Sequence, residues 1–426
     1  MDLCWPQSAA GLAQLQRERK LAAFEAAKSS PLYKGRLDYI DSSRLEEEWQ
    51  KIPLLTKDEL RKIEPGRLHE QFCILSRQDA VEYWRSGGVT GKPMFYPRSQ
   101  EDMKYAVLSF ARAWALIEAD WRDCAHISFP LGIHPVGHLF ARSAETLGIG
   151  TVWAGSGANT PSLTQLELIR DLKPTIWAGM ASYGLHLANL AEVNGIDLRS
   201  SSVTKIIVAA EPLSPAKRAK LEHAWGAEVF DHFGMTEAAF VAGESGLHQG
   251  LHVWSDLFFL EVVDEATGQQ VPDGEVGSLV VTPLFINSMT PFLRWVSGDL
   301  VSLEPGSVEG GFWRHFPVMR HARRTVGFFK IRGVNINHSE LEDVMFGNRA
   351  VLDFKAEAIA LESGNDALHL LFEVHPQSTE TEARDAVAAT VRAAFENDPV
   401  ISILPIGTIG QEFEASVKAA RFVDKR

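Results

Sequence analysis

A glycine-rich loop near residue 90 has the composition of a phosphate-binding loop. The segment Ser86-Gly87-Gly88-Val89-Thr90-Gly91-Lys92-Pro93 combines glycines, hydroxyls and one lysine between two strand-like flanks. Glycines let backbone N–H groups converge on an anion, hydroxyls add donors, and a lysine adds a positive charge. A Walker loop has Ser or Thr directly after its lysine, and Pro93 follows here. The pattern predicts a phosphate loop of another type, with an ordinary glycine turn as the alternative.

Five further segments carry groups suited to binding a nucleotide and a carboxylate. Ala209-Ala210-Glu211-Pro212 follows a predicted strand, at the end where ligand crevices form in parallel sheets. Asp231–Glu237 combines an aromatic ring, a hydroxyl and carboxylates, and Asp299 can accept hydrogen bonds from a diol. The last two segments, 324–335 and 416–426, are basic and contain Arg324, Arg332 and Lys418.

Each of these segments also has a purely structural interpretation. Glu211-Pro212 would serve as a helix entry, Thr236-Glu237 as a capped helix start, and Lys418 as a solvated charge near a chain end. The order and spacing of the segments, rather than any one of them, therefore carry the functional prediction.

Strands and helices alternate through the middle of the chain. This alternation predicts a largely parallel sheet covered by helices, and turn residues between 252 and 284 predict hairpins after it. The predicted strands are Ala125–Phe129, Gly150–Trp153, Thr175–Ala178, Lys205–Ala209 and Ala227–Phe230, and the predicted helices include 11–28, Glu101–Trp121, Thr164–Leu172, Tyr183–Asn194 and Pro215–Trp225.

The last hundred residues carry a smaller α/β pattern, with helices expected near Ser339–Phe346 and Glu380–Glu396. At 426 residues the chain exceeds one average domain. We therefore predict a large domain over 1–324 and a small C-terminal domain over 325–426.

Bulk composition excludes several classes of protein. The formal net charge of −13 argues against a broad electrostatic grip on nucleic acid or an anionic membrane. Cys4, Cys73 and Cys124 lack metal or redox spacing, and neither a signal peptide nor a membrane-spanning stretch is evident. The sequence predicts a cytoplasmic protein with no nucleic-acid or membrane partner.

Together these six segments resemble the phenylacetate–coenzyme A ligase branch of the adenylate-forming enzymes. Ser30-Pro31-Leu32-Tyr33 and Ile52–Leu60 are similar to the opening of that branch, so the resemblance runs nearly end to end. It implies an α/β fold: a large N-terminal adenylate-forming domain with mostly parallel sheets covered by helices plus a β-hairpin region, and a small mobile α+β C-terminal lid domain.

The resemblance assigns an ATP site residue by residue. Thr236 would contact phosphate or ribose, Glu237 would ligate Mg²⁺ together with phosphate oxygens, and Lys418 would bridge the substrate carboxylate and the α-phosphate. The nucleotide-binding set is Ser86, Gly87, Gly88, Thr90, Gly91 and Lys92 for the phosphates, Ala210, Glu211, Pro212, Asp231, His232, Phe233 and Gly234 around the adenine, Asp299 for the ribose, and Arg324 and Arg332.

The same resemblance implies an apolar, aromatic-lined acyl pocket suited to an aryl or arylacetic acid. His134 would either recognise a ring hydroxyl or amine or be a satisfied polar residue at the pocket mouth. The expected lining is Phe129, His134, Trp177, Met180, Ala209, Met235 and Ala238.

The implied activity is activation of a carboxylic acid by ATP and transfer to coenzyme A, with a homodimer as the implied assembly. Three alternatives stay open: transfer to a carrier-protein thiol or an amine, nucleotidyl transfer to a deazaflavin phenol, and a degenerate binding protein. The other acceptor is motivated by Val326-Gly327, where the family has two aspartates at the domain hinge, and nucleotidyl transfer by enzymes of the same branch that resemble coenzyme F390 synthetase. The degenerate protein is motivated by departures from the family pattern at Gly87, Val89, Val296 and Val326.

Overall fold

The computed structural model describes residues 2–64, 66–86, 93–285, 288–306, 311, 313–324, 327–361, 365–416 and 420–426, with only the main chain of 322–324. The predicted loop residues 87–92 and Lys418 therefore lie outside the described residues. The chain divides into two compact units, each described below by itself. The first unit is Met1–Arg122, Leu131–Gly150 and Phe230–Thr325, and the second is Asp123–Pro130, Thr151–Val229 and Val326–Arg426.

The α-helices of the described residues are α1 Ala9–Ala27, α2 Leu45–Glu48, α3 Lys57–Arg61, α4 Leu68–Gln71, α5 Gln100–Leu116, α6 Pro135–Thr146, α7 Ser162–Leu172, α8 Ala181–Val193, α9 Pro215–Trp225, α10 His338–Gly347, α11 Glu380–Phe395 and α12 Gln411–Ala415. The strands are β1 Ala80–Arg85, β2 Phe95–Ser99, β3 Cys124–Ile127, β4 Gly150–Trp153, β5 Ile176–Gly179, β6 Lys205–Val208, β7 Glu228–Met235, β8 Ala239–Glu244, β9 Leu251–Val253, β10 Phe258–Val263, β11 Gly277–Pro283, β12 Trp295–Glu304, β13 Val318–Arg324, β14 Phe328–Ile331, β15 Val334–Asn337, β16 Val351–Ala360, β17 Asp366–Val374, β18 Val400–Leu404 and β19 Phe422–Asp424.

The first unit contains a mainly antiparallel sheet with the strand order β10-β11-β12-β13-β9-β8-β7. The short hairpin β1-β2 also belongs to this unit. Its core is a hydrophobic cluster that includes Phe24, Trp49, Phe292 and Trp295. This cluster packs the N-terminal helices against the strands that precede the ribose-binding candidate Asp299.

The second unit contains the parallel strands β6-β5-β3-β4 with helices α7 to α9, and a separate four-stranded sheet with the order β18-β17-β16-β19. In that smaller sheet β16 and β17 run antiparallel while β18 and β19 join in parallel, and α10 and α11 complete an α+β arrangement. The α/β fold class is confirmed. The predicted division at residue 325 into 1–324 and 325–426 stays a prediction.

Most predicted elements occur within a few residues of their expected bounds, and two differ for clear reasons. The helix expected to reach Trp121 ends at Leu116, because Glu118 adopts a left-handed φ of 55°. The strand expected to end at Phe230 continues to Met235 and pairs with β8. Thr236-Glu237 is consequently a strand-to-strand turn, so its interpretation as a helix start is wrong.

No helix in the described ranges has the length and apolar content needed to cross a bilayer. The cytoplasmic location stays a prediction.

A buried ion pair joins β10 to the start of β12. Arg294 donates through Nε to Glu261 Oε2 at 3.1 Å, and both side chains are almost completely inaccessible. Glu261 also accepts hydrogen bonds from the indole of Trp49 and the amide of Gln50. Arg294 has a φ of 46°, so the chain enters β12 in a conformation that these contacts must hold.

We expect Glu261→Ala to destabilise the protein by about 3–5 kcal/mol, because it leaves the Arg294 guanidinium buried without its carboxylate. The measurement is urea unfolding followed by tryptophan fluorescence. The control is Glu304→Ala, which removes the partner of Arg320 in an exposed pair and should cost less than about 1 kcal/mol. Equal effects of the two substitutions would contradict this role for the buried pair.

Candidate active site

The predicted phosphate loop lies at the tip of the β1–β2 hairpin. Arg85 pairs with Phe95, and the next residue pair closes the loop through two hydrogen bonds. The Ser86 N–H donates to the Met94 carbonyl at 2.9 Å, and the Met94 N–H donates to Ser86 Oγ at 3.1 Å. Both flanks of the loop are therefore strands, as predicted. The phosphate-binding role of Ser86 and of residues 87–92 stays a prediction.

The Thr236-Glu237 turn connects β7 to β8 and is held by a buried guanidinium. Arg98 on β2 donates to the carbonyls of Thr236 and Glu237 at 2.8 and 2.9 Å. Its side chain is inaccessible and lies 4.5 Å above the ring of Trp84. β2 is also the strand that follows the predicted phosphate loop in the chain, so one strand connects the end of that loop with this turn.

The Glu237 carboxyl group is buried, with 8% of the residue exposed, and the hydroxyl of Tyr96 donates to its Oε1 at 3.2 Å. Burial raises the pKa of this carboxyl above its usual value, although Lys57, Tyr96 and Arg98 favour the ionised form. Burial and the neighbouring carboxylate also raise the pKa of Tyr96. A bound cation would therefore stabilise the ionised form of the Glu237 carboxylate.

The assignment of Glu237 as a Mg²⁺ ligand can be compared with the side chains around it. Within the described part of the chain, no group of three His, Cys, Asp or Glu side chains could hold a metal ion by itself. Mg²⁺ commonly binds through one or two carboxylates together with substrate phosphates. The single buried carboxylate of Glu237 fits binding of this kind, in which it would hold a metal ion together with the phosphates of a nucleotide.

Asp299, Phe233 and His321 form a second group in the first unit. Asp299 is 5% exposed, and its N–H donates to Ser297 Oγ at 3.0 Å. His321 Nε2 lies 3.3 Å from Asp299 Oδ1, and the imidazole centroid lies 5.9 Å from that of Phe233. The main chain of Arg324 is paired with Asp299 across β12 and β13. The structure therefore brings together the aromatic, the carboxylate and the strand position of the arginine that were assigned to the nucleoside.

Neighbouring residues on β7 separate onto two faces because side chains alternate along a strand. His232 is buried and stacks on Phe240 with centroids 5.5 Å apart, whereas Phe233 is partly exposed. The Asp231 N–H donates to Glu244 Oε2 at 2.8 Å. Gly234 is required by space, because a Cβ there would approach the carbonyl oxygen of Ala239 to 2.6 Å.

In the second unit, Glu211 binds the N-terminus of α8. Its carboxylate accepts from the N–H and the hydroxyl of Ser182 at 2.5 and 2.8 Å, and Lys217 Nζ lies 3.6 Å away. A carboxylate at a helix N-terminus is stabilised by the helix dipole. Ala210 precedes it with a left-handed φ of 71°, and the carbonyl of Pro212 accepts from Lys217.

The predicted acyl-pocket residues are distributed over both units. Phe129, Met180 and Ala209 are buried in the second unit, where the Trp177 ring packs 5.4 Å from that of Trp225. Trp177 also fills the space beside two glycines, since a Cβ at Gly179 would meet it at 2.4 Å. In the first unit, Met235 packs against the hydrophobic cluster, Ala238 is buried in the turn, and His134 directly precedes α6. The acyl pocket stays a prediction.

The chain on both sides of Lys418 is anchored within the second unit. Phe413 on α12 stacks on His186 of α8, with centroids 5.2 Å apart. Arg421 donates to Asp353 Oδ1 at 2.6 Å. Arg332, which was assigned to the nucleotide, is exposed in the β14–β15 turn, and its Nε donates to the carbonyl of Asp366 at 3.1 Å.

Sequence reasoning missed three residues of this site: Tyr96, Arg98 and His321. Tyr96 and Arg98 follow the phosphate loop at alternate strand positions, and that period-2 spacing was the available signal. His321 stands in a basic stretch and gave no signal of its own, because its contact depends on strand register.

Comparison with known proteins identifies the family. The family model for AMP-binding enzymes matches residues 37–284. Phenylacetate-coenzyme A ligase of Pseudomonas putida is 31% identical over 343 residues, covering 78% of this chain and 75% of the relative. The protein of the same name from Thermus thermophilus is 30% identical over 370 residues, covering 85% and 80%. The chain belongs to the AMP-binding enzymes and is phenylacetate–coenzyme A ligase-like.

Solved structures show the same fold. A 2-hydroxyisobutyryl-CoA ligase in its postadenylation state aligns with a TM-score of 0.87 at 21% identity, over 99% of this chain and 91% of that chain. An anthranilate CoA ligase in complex with anthranoyl-AMP aligns with a TM-score of 0.56 at 17% identity, over 84% and 72%. The whole described architecture is thus that of an adenylate-forming enzyme.

We expect Glu237→Gln to raise stability at pH 8 in the absence of nucleotide and Mg²⁺. The unfolded chain releases this proton near pH 4.5, whereas the folded protein keeps it to higher pH, so wild-type stability falls as pH rises through that window. Glutamine does not titrate and avoids the cost, which is about 1.4 kcal/mol per unit of raised pKa.

The measurement is the melting temperature of wild type and variant at pH 5 and pH 8, with the exposed Glu304→Gln as control. The advantage of Glu237→Gln should be larger at pH 8 than at pH 5, while activity is lost. A variant less stable than wild type at pH 8 would show that the ionised carboxylate is stabilised in place.

Proposed function

We propose that this protein activates an aryl or arylacetic acid with MgATP as an acyl-adenylate and then transfers the acyl group to coenzyme A, releasing AMP and pyrophosphate. The observation that carries the proposal is the coupling of two parts through β2. This strand closes the predicted phosphate loop at Ser86 and, through Tyr96 and Arg98, holds the buried Glu237 in its turn. Family membership and the phenylacetate-coenzyme A ligase relatives support the same activity.

In this proposal Phe233 stacks on the adenine and Asp299 accepts hydrogen bonds from the ribose hydroxyls. The loop 86–92 binds the β- and γ-phosphates through backbone N–H groups, hydroxyls and Lys92. Mg²⁺, held by Glu237 and phosphate oxygens, would neutralise charge on the phosphates. The remaining assigned positions, including Thr236, Ala210–Pro212, Arg324 and Arg332, keep their roles as proposals.

The first step needs no protein nucleophile. A carboxylate oxygen of the acid forms a bond to the α-phosphorus of ATP, and the bond from that phosphorus to the bridging oxygen breaks, so that pyrophosphate leaves. Lys418 would neutralise the charge that gathers on the reacting oxygens. In the second step the thiolate of coenzyme A attacks the acyl carbon, and AMP leaves with its electron pair.

The apolar lining proposed for the acyl site, with Phe129, Trp177, Met180 and Met235, favours a planar aromatic acid over a short polar one. His134 would contact a ring substituent or cap the pocket mouth. The names of the relatives agree with an arylacetic acid.

Transfer to a carrier-protein thiol or an amine is the second candidate. It is favoured by Val326-Gly327, which stand where adenylate-forming ligases hinge their C-terminal domain at an acidic residue. We propose that residues 325–426 act as the lid domain in either case and that the protein forms a homodimer.

The test of function is carboxylate-dependent exchange of pyrophosphate into ATP across benzoic, hydroxybenzoic, aminobenzoic and arylacetic acids, followed by coenzyme A consumption. Exchange with one group of acids and consumption of coenzyme A would support the proposal. Exchange without consumption of coenzyme A would favour the carrier-protein or amine acceptor. A stable product that retains the nucleotide would indicate deazaflavin adenylylation, and nucleotide binding without any exchange would indicate a degenerate protein.

We expect Lys418→Ala to lower the adenylation rate by a factor of about 100 or more, the size of effect seen when one charge-stabilising group is removed. Thioester formation from supplied acyl-adenylate should stay close to wild type. The matched control is Lys425→Ala, whose exposed lysine pairs with the nearly buried Glu357, and this substitution should change neither half-reaction more than a few-fold. Loss of both half-reactions in Lys418→Ala would contradict the assigned role.

A further inference from the structure

A histidine that none of the motifs includes lies between the two proposed nucleoside contacts. His321 is mostly buried, with 18% of its side chain exposed. Its Nε2 lies 3.3 Å from Asp299 Oδ1, and its ring lies 5.9 Å from Phe233 at an interplanar angle of 37°. The tautomer that carries the proton on Nε2 donates to the carboxylate.

A β-bulge brings His321 to this face of the sheet. Asp299 pairs with Arg324, but Val301 pairs with His321, so β13 has one residue more than β12 between these two pairs. Without that extra residue, His321 would lie opposite Ser302 and its side chain would point to the face away from Asp299, because side chains alternate along a strand. Bulges redirect side chains in this way and are frequent next to active sites.

The contacts around Asp299 fix its backbone and one oxygen of its carboxylate. Ser297 Oγ accepts from the Asp299 N–H, strand pairing holds the main chain, and His321 holds Oδ1. An ionised carboxylate has about four lone-pair sites, so a bond from His321 at Oδ1 is compatible with hydrogen bonds from ribose hydroxyls. A carboxylate that is already oriented loses less conformational freedom when the ligand binds.

We propose that His321 is a nucleoside-positioning residue of the ATP site. It orients the Asp299 carboxylate toward the two ribose hydroxyls, and its ring lies beside that of Phe233 at the proposed nucleoside site. This inference rests on the proposed function, since it takes the ligand of Asp299 to be the ribose of ATP. The chemistry recognised is that of a ribonucleoside triphosphate with both hydroxyls present.

The test is equilibrium binding, measured by titration calorimetry of ATP, 2′-deoxy-ATP and 3′-deoxy-ATP, which needs no knowledge of the acid. For wild type we expect removal of either hydroxyl to weaken binding by about tenfold or more, because each hydroxyl donates to a charged group. In His321→Ala, ATP should bind more weakly and the penalty for each missing hydroxyl should shrink to about twofold, because the carboxylate is no longer oriented.

Two variants separate positioning from loss of structure. His321→Gln keeps an N–H donor and should recover part of the hydroxyl discrimination, which a merely structural defect would not restore. His315→Ala removes a histidine that precedes the same strand, contacts Arg314 and has no assigned role, and it should bind all three nucleotides like wild type. Melting temperatures of all variants show that the comparison is made between folded proteins.

The outcomes distinguish this inference from the function on which it rests. If a folded His321→Ala loses as much affinity as wild type when either ribose hydroxyl is removed, the positioning role is overturned and the proposed function still stands. Failure of wild type to bind ATP would overturn the proposed function itself. Tight ATP binding by wild type with no hydroxyl discrimination would overturn the ribose contact of Asp299, and with it the role of His321.

Discussion

The candidate site depends on one buried cation, the guanidinium of Arg98. It is inaccessible to solvent, lies over Trp84 and donates to the carbonyls of Thr236 and Glu237. An arginine cannot lose its proton in a protein, so its burial requires hydrogen-bond acceptors close by. The two carbonyls of the turn between β7 and β8 accept from Nη2 and Thr290 Oγ1 accepts from Nη1, while Nε has no hydrogen-bond partner among the described residues. The arginine in return fixes the turn. Because Met94, which directly precedes β2, is hydrogen-bonded to Ser86, β2 also connects this turn with the start of the predicted phosphate loop.

The same site contains a local conflict between stability and chemistry. Glu237 is buried with its pKa raised, which costs stability when the carboxyl is ionised. Such a cost in stability is expected at a functional site, where a side chain binds a ligand that the folded chain does not itself supply. A Mg²⁺ ion that binds with the proposed nucleotide would supply the missing positive charge and would offset the cost of burying the ionised carboxylate.

In the second unit, charged groups play a structural part. Lys217 on α9 contacts Glu342 at 2.8 Å, and Arg421 contacts Asp353 at 2.6 Å, with side chains that are at most one tenth exposed. Buried ions of this kind are strongly destabilising to separate, because the remaining partner would be left unpaired. Together with the stacking of Phe413 on His186, they hold the chain on both sides of position 418. The described residues on both sides of position 418 are therefore held by ion pairs and aromatic contacts.

The sequence by itself determined the α/β class, the alternation of strands and helices, the strands that flank the glycine loop, and the family, because periodicity and turn chemistry are local properties of the chain. It also named Phe233, Glu237 and Asp299. Only the tertiary structure decided what those residues contact. Arg98 reaches a turn about 140 residues away in the chain, and His321 reaches Asp299 through a bulge that adds one residue to β13. Such contacts depend on strand register and on long-range packing, which no local pattern of residues records.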